Sequence, residues 1–106
     1  IFGQPKNADI SFVGWGSSKN AVLDAMAQSF KTINYLHFTY LWPMKTQRLK
    51  EFFADNPNVH LIEGNATGQL GQLIAKETDL KFKGHLLKFN GRPFYLEDVL
   101  EYSEGV

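Results

Sequence analysis

The chain contains no cysteine, so it can form no disulfide, no thiolate-bound iron–sulfur cluster and no cysteine nucleophile. Basic and acidic residues balance at 11 each, so no net charge draws the chain towards nucleic acid or an anionic membrane. No apolar run approaches the roughly 20 residues of a membrane-spanning helix. We therefore expect no nucleic-acid partner and no membrane partner, and any redox centre has to lie in another chain.

The chain contains enough hydrophobic residues to form one hydrophobic core. It has 106 residues, of which 43% are hydrophobic, and this predicts a single domain over 1–106. The sequence starts at Ile1 without an initiator methionine and without the basic-then-apolar pattern of a signal peptide. These features suggest either a processed chain or a domain taken from a longer subunit, and we favour the second. We expect a cytoplasmic location.

Two segments place a short apolar strand directly before a glycine-containing bend and an amphipathic helix. In the first, an apolar run ends at Val13, 14–16 form a bend, and Ser17 caps a helix that we expect over about 18–30. In the second, the strand that begins at Val59 ends at Glu63. Thr67 then caps a helix with Leu70, Leu73 and Ile74 on one face, which we expect to reach about Thr78.

Two further strand and helix pairs complete the pattern. Aromatic and β-branched residues predict a strand over 33–40, after which Thr46 caps a helix that ends at the turn sequence 55–58. A weaker strand over 85–89 precedes a turn at 90–93 and a final helix. Four such units predict an α/β fold: an open, mostly parallel sheet with helices on both faces, in three α/β/α layers.

In an open parallel sheet, ligands usually bind beyond the carboxyl ends of the strands. Helices beginning near Ser17 and Thr67 would present free amides there, so a small anion could bind. Neither loop matches a phosphate-binding loop or a complete dinucleotide fingerprint, so tight bends without a ligand remain the first interpretation. The candidate contact residues at this edge are Gly14, Gly16, Ser17, Glu63, Gly64, Asn65, Thr67, Gly68 and Gln69.

Glu63 is the best candidate for acid–base chemistry, because it stands at a strand end beside a glycine. No histidine or second acid adjoins it in the sequence, which favours a structural carboxylate that accepts backbone amides of its own loop. The histidines at 37, 60 and 85 lack the spacing of metal ligands, so we expect no metal site. Asn20 occupies the second glycine position of a hydrolase elbow, which makes a serine hydrolase an unlikely class.

Large side chains gather where the strands end. They either seal the edge of the sheet or contact another domain, and we favour contact for Trp42. The candidate interface residues are Trp15, Tyr40, Leu41, Trp42 and Pro43.

Four stretches together resemble the C-terminal domain of the α subunit of 2-oxoacid:ferredoxin oxidoreductases. They are ADISFVGWGSSK at 8–19, LHFTYLWP at 36–43, EGNATGQL at 63–70 and GRPF at 91–94. The resemblance covers nearly the whole chain in the right order. It implies a domain similar to the transketolase C-terminal domain, with an additional antiparallel edge strand of which 1–3 would be the remnant.

The resemblance implies a parent enzyme that oxidatively decarboxylates a 2-oxoacid to an acyl-CoA. That enzyme uses thiamine diphosphate with magnesium, takes coenzyme A as a substrate, and passes electrons through an iron–sulfur cluster to ferredoxin. The family's cofactor-binding elements lie in other domains and in the β subunit, which become the expected partners. The resemblance places no catalytic or cofactor-binding residue of the family in this chain. The candidate contact residues and the candidate interface residues named above are expected to contact those partners.

Two positions depart from the family's pattern. Lys45 replaces a proline that often follows the loop at 41–43, and Tyr95 replaces a threonine cap. The second departure predicts a final helix that starts late or frays. A free-standing binding domain for a small anionic ligand, such as a coenzyme fragment, remains the alternative to a structural and interaction domain of the larger enzyme.

Overall fold

The computed structural model describes residues 2–4, 6–15, 18–38, 46–63, 72, 74, 76, 78, 80–87 and 94–105. The strands are β1 (Ile10–Trp15), β2 (Ile33–Phe38), β3 (Val59–Glu63) and β4 (Gly84–Leu87). The helices are α1 (Ser18–Gln28), α2 (Thr46–Asp55) and α3 (Leu96–Glu104). Gln72, Ile74 and Lys76 are also helical, as expected for the helix after β3. None of the helices described is long and apolar enough to cross a membrane.

The sheet has the strand order β2-β1-β3-β4, and every neighbouring pair of these strands is parallel. Parallel neighbours need crossover connections, which the intervening helices supply on the two faces of the sheet. This arrangement confirms the predicted mostly parallel α/β sheet in three layers.

Two buried clusters lie on opposite faces of the sheet. On one face α1 and α3 pack together, and apolar side chains such as Val22 and Val99 cover Phe12. On the other face Leu49 and Phe52 of α2, with Ile74, cover Val13 and Leu61. Successive strand residues point to opposite faces, so β1, β2 and β3 each supply apolar residues to both clusters.

An antiparallel pairing borders β2. The amide of Phe2 donates to the carbonyl of Tyr35 at 2.9 Å, and the amide of Tyr35 donates to the carbonyl of Phe2 at 3.1 Å. The expected antiparallel edge is therefore present as a bridge. Gly3 follows with a φ of +83°, a conformation that favours glycine, and a Cβ there would lie 2.9 Å from the carbonyl oxygen of Ile33.

Two boundaries differ from the sequence predictions. Gly14 and Trp15 do not form a bend but continue β1, because Gly14 pairs with both His37 and Ile62. Helix α1 ends at Gln28, and the Ser29 hydroxyl accepts the amide of Lys31 at 3.1 Å just beyond it. Phe30, the last residue of the predicted helix, therefore lies past the helix end and is fully exposed.

The predicted late start of the final helix is also wrong. Helix α3 begins at Leu96, directly after Tyr95. The carboxylate of Asp98 accepts the Tyr95 amide at 2.8 Å, which is the reciprocal half of a capping box. The Asp98 side chain, inside the first turn of α3, thus caps the helix in place of the threonine that the family has at position 95.

Candidate functional site

The carboxyl ends of β1, β2 and β3 lie together at one end of the sheet, which we call its carboxyl edge. The candidate site was predicted here. Trp15 pairs with Phe38 across β1 and β2, and the pairing of Gly14 with Ile62 places Trp15 beside Glu63 of β3. Side chains alternate between the two faces along a strand, so the side chains of Trp15, Phe38 and Glu63 all lie on the face that α2 covers. A large aromatic residue and an acid therefore lie side by side at this edge.

Glu63 is fully buried, although it is the last residue of its strand. The indole Nε1 of Trp15 donates to its Oε1 at 3.3 Å, which is long for a hydrogen bond. A buried carboxylate needs donors around it, and the Trp15 indole is one of them. The Trp15–Glu63 pair joins the ends of β1 and β3.

His37 lies at the same edge but on the opposite face of the sheet. Its Nδ1 lies 2.7 Å from the hydroxyl of Tyr35. Burial, and secondarily the charge of Lys19, lowers the pKa of His37 below its ordinary value of 6.5. The ammonium of Lys19 lies 4.9 Å from the centre of the Phe2 ring. Because the sheet separates His37 from Glu63, the two do not form an acid–base pair.

A second polar group, centred on His60, was not recognised as a unit in the sequence. His60 is 3% exposed in the middle of β3, and its two ring nitrogens lie 2.7 Å from Asn58 Oδ1 and from the Tyr102 hydroxyl. Asn58 Nδ2 donates to the carbonyl of Asp9 at 3.0 Å, which turns Oδ1 towards the imidazole. His60 Nε2 therefore carries the proton, and Nδ1 accepts the hydroxyl of Tyr102.

The absence of a side chain at Gly84 makes this contact possible. Gly84 is the β4 partner of His60, and a Cβ there would lie 2.5 Å from the Tyr102 hydroxyl and 2.8 Å from His60 Nδ1. Burial, followed by the charges of Lys83 and His85, lowers the pKa of His60. The group joins α3 to the sheet, which is a structural task; its only sequence signal is a glycine before the short apolar run of β4.

Of the residues predicted for the site, the structure describes Gly14, Trp15 and Glu63. Gly14 lies buried within β1. Trp15 is partly buried and packs against the α2-side core cluster while it binds Glu63. The other predicted contact and interface residues lie outside the described residues: Gly16, Ser17, Gly64, Asn65, Thr67, Gly68, Gln69, Tyr40, Leu41, Trp42 and Pro43.

The three histidines occupy three different strands, β2, β3 and β4. Within the part of the chain that the structure describes, no three acidic or histidine side chains form a group that could hold a metal ion. The described part of this edge contains the Glu63 carboxylate and the Trp15 indole on one face of the sheet and His37, influenced by Lys19, on the other, but no cluster of cationic donors for a diphosphate. These residues do not fit thiamine diphosphate, so we derive no chemical step through it.

The described strands and helices define an α/β domain with a parallel sheet. No family model matches the chain. The α subunit of 2-oxoacid:ferredoxin oxidoreductase 1 from Aeropyrum pernix is 34% identical over 101 residues, covering 91% of this chain and 16% of that protein. The 2-oxoacid:ferredoxin oxidoreductase α subunit from Saccharolobus solfataricus is 25% identical over 104 residues, which cover 94% of this chain and 16% of that protein.

A solved structure agrees with these relatives. The 2-oxoglutarate:ferredoxin oxidoreductase from Magnetococcus marinus, with 2-oxoglutarate, coenzyme A and succinyl-CoA bound, matches with a TM-score of 0.86 and 26% identity. The match covers 97% of this chain and 18% of that one. The chain thus spans about a sixth of the length of the curated relatives it matches. It is homologous to part of the α subunit of 2-oxoacid:ferredoxin oxidoreductases.

Proposed function

We propose that this chain is the C-terminal, transketolase C-terminal-like domain of a 2-oxoacid:ferredoxin oxidoreductase α subunit, and that it serves as a structural and interaction domain. The observation that carries the proposal is the agreement of sequence and fold over nearly the whole chain, with 34% identity to one α subunit and a TM-score of 0.86 to a solved enzyme. The parent complex would convert a 2-oxoacid and coenzyme A to an acyl-CoA and reduce ferredoxin. Thiamine diphosphate, magnesium and an iron–sulfur cluster would be held outside this domain.

A non-catalytic role is consistent with the chemistry of the described edge. Glu63 is buried against Trp15, and His37 lies across the sheet from it. A general acid or base has to reach the proton that it transfers. Glu63 instead fixes the ends of β1 and β3, from which the loops towards the other domains and the β subunit would extend.

A chimera tests this proposal. The matching segment of the Aeropyrum pernix α subunit is replaced by this chain, and the chimera is produced with its β subunit. We expect an assembled complex that reduces ferredoxin in the presence of 2-oxoacid and coenzyme A, whereas deletion of the segment prevents assembly. A folded chimeric α subunit that fails to bind the β subunit would contradict the interaction role.

The Glu63→Gln variant of the same chimera tests the non-catalytic part. Glutamine keeps the shape of the side chain and an oxygen that accepts the Trp15 indole, so we expect most of the activity to remain. Loss of a catalytic acid or base costs about 10²–10⁴-fold in rate. A loss of that size in an assembled complex would assign Glu63 to the chemistry.

The alternative proposal is that the loops at this edge bind a coenzyme fragment. It is favoured by the match to a structure with coenzyme A and succinyl-CoA bound, and opposed by the lack of a phosphate-binding or dinucleotide motif in the two loops. Titration of the isotope-labelled chain with coenzyme A, thiamine diphosphate and 2-oxoacids, followed by NMR, separates the two. Saturable shifts confined to the residues after β1 and β3 support binding, and unchanged spectra support the structural role.

A further inference from the structure

Three buried polar side chains lie at the amino ends of the strands, at the edge of the sheet opposite the candidate site. Ser11 of β1 and Asn34 of β2 are direct partners across the two strands, so their side chains leave the same face of the sheet. Asn56, just after α2, lies against Asn34. Ser11 and Asn34 are 0% exposed and Asn56 is 2% exposed.

The hydrogen bonds of Asn34 fix the orientation of its amide. Its Nδ2 donates to the carbonyl of Gln4 at 2.7 Å and to Asn56 Oδ1 at 2.9 Å, which uses both of its hydrogens. Asn56 Oδ1 also accepts the amide of Ala8 at 3.2 Å, and Asn56 Nδ2 donates to the carbonyl of Phe52 at 3.0 Å. A flipped Asn34 amide would lose two bonds, so its Oδ1 is an acceptor inside the protein.

Two polar atoms at this place lack a donor or acceptor. Within the described residues, Asn34 Oδ1 and Ser11 Oγ have no hydrogen-bond partner, and both are buried. Buried polar groups are almost always satisfied by protein or by ordered water. A carbonyl oxygen requires a donor and a hydroxyl can either donate or accept, so one water molecule between them satisfies both.

We propose that Ser11 and Asn34 bind one structural water molecule at the amino edge of the sheet. The water donates one hydrogen to Asn34 Oδ1 and shares a second hydrogen bond with Ser11 Oγ. Since Asn34 also binds Gln4 and Asn56, the water completes a polar network that holds the segment from Gln4 to Ala8 across the ends of β1 and β2. The site is independent of the proposed enzyme and of the opposite edge.

A high-resolution crystal structure of the chain, with water-to-amide magnetisation transfer by NMR, tests the site. We expect a fully occupied solvent peak within hydrogen-bond distance of both Ser11 Oγ and Asn34 Oδ1, and transfer from a long-lived water to the Ser11 amide. A direct bond between the two side chains with no solvent peak overturns the proposal. A peak in contact with only one of the two atoms also overturns it.

Two variants sharpen the test. Ser11→Val removes the hydroxyl and fills its space with a methyl group, so we expect loss of both the solvent peak and the transfer. Ser103→Ala is the matched control, because the buried Ser103 hydroxyl already donates to the carbonyl of Val99 at 2.7 Å. Both signals should persist in the control, and their persistence in folded Ser11→Val would overturn the proposal. The unsubstituted chain decides the question if Ser11→Val does not fold.

Discussion

The bond between Tyr102 and His60 is the contact whose loss can be measured most cleanly, by the substitution Tyr102→Phe. Phenylalanine keeps the ring, which lies 5.9 Å from the ring of Phe12 and 5.3 Å from the imidazole of His60. Only the hydroxyl is removed, and with it the donor to His60 Nδ1 at 2.7 Å. The substitution therefore isolates one hydrogen bond to a buried acceptor.

The expected cost follows from what remains behind. A buried acceptor without a donor destabilises a protein by about 1–3 kcal/mol. His60 is buried but Tyr102 is only partly so, and water that reaches Nδ1 would offset part of the cost. We therefore expect the free energy of unfolding to fall by about 1.5 kcal/mol, with a decrease in Tm of roughly 4–8 °C for each kcal/mol in a small domain.

Urea denaturation at neutral pH, followed by circular dichroism and tryptophan fluorescence, measures this change. Tyr95→Phe is the matched control, because Tyr95 is 59% exposed just before the same helix, and its change should stay within about 0.5 kcal/mol. Equal effects of the two substitutions, or no effect of Tyr102→Phe, would refute the reasoning. A change in the slope against urea would instead point to altered compactness of one state.

Three further predictions concern the same contacts and the opposite edge. Gly84→Ala should destabilise the chain by more than Tyr102→Phe, and part of the loss should remain in the double variant, because the added Cβ meets both the Tyr102 hydroxyl and the buried ring of His60. The free energy of unfolding should decrease as the pH falls below 6.5, because the pKa of His60 is lowered in the folded state and the unfolded state therefore binds more protons at this residue. In urea titrations at several pH values, His60→Gln should reduce the dependence of the free energy of unfolding on pH. Asn56→Ala should lower the free energy of unfolding by about 2–3 kcal/mol, measured against exposed Asn20→Ala, because Asn34 and Ala8 lose a buried acceptor.

The sequence predicted the layers of this fold well, because apolar runs and helical periodicity report directly on burial. The helix predicted from Thr46 to the turn signal at 55–58 is α2, and Leu49 and Phe52, three positions apart, form its buried face. Local patterns were less reliable at the ends of elements. Gly14 has the chemistry of a bend, yet its two neighbouring strands hold it in β1.

The long-range polar contacts could not be predicted, because they join residues that are far apart in the sequence. Trp15 and Glu63 are 48 positions apart, as are Ala8 and Asn56, and His60 and Tyr102 are 42 apart. Only the register of parallel strands brings such residues together, and a register is a property of two segments at once. Glu63 was expected to be a structural carboxylate that accepts backbone amides of its own loop, and its Trp15 indole partner became visible only through the β1–β3 alignment.

The two edges of the sheet are built for different tasks, and the placement of their polar groups explains why. At the amino edge, Asn34 and Asn56 bind each other and the backbone of the segment before β1, so the polar groups stabilise the domain itself. At the carboxyl edge, the partly buried indole of Trp15 donates to the buried carboxylate of Glu63. The loops that follow these two residues are the ones for which the family resemblance implies contacts with other domains. A buried polar network is stabilising only when every member is satisfied, so the partners of a buried side chain decide its contribution. Because Glu63 lies at the edge that is proposed to face the rest of the enzyme, its energetic contribution is best measured in the assembled complex.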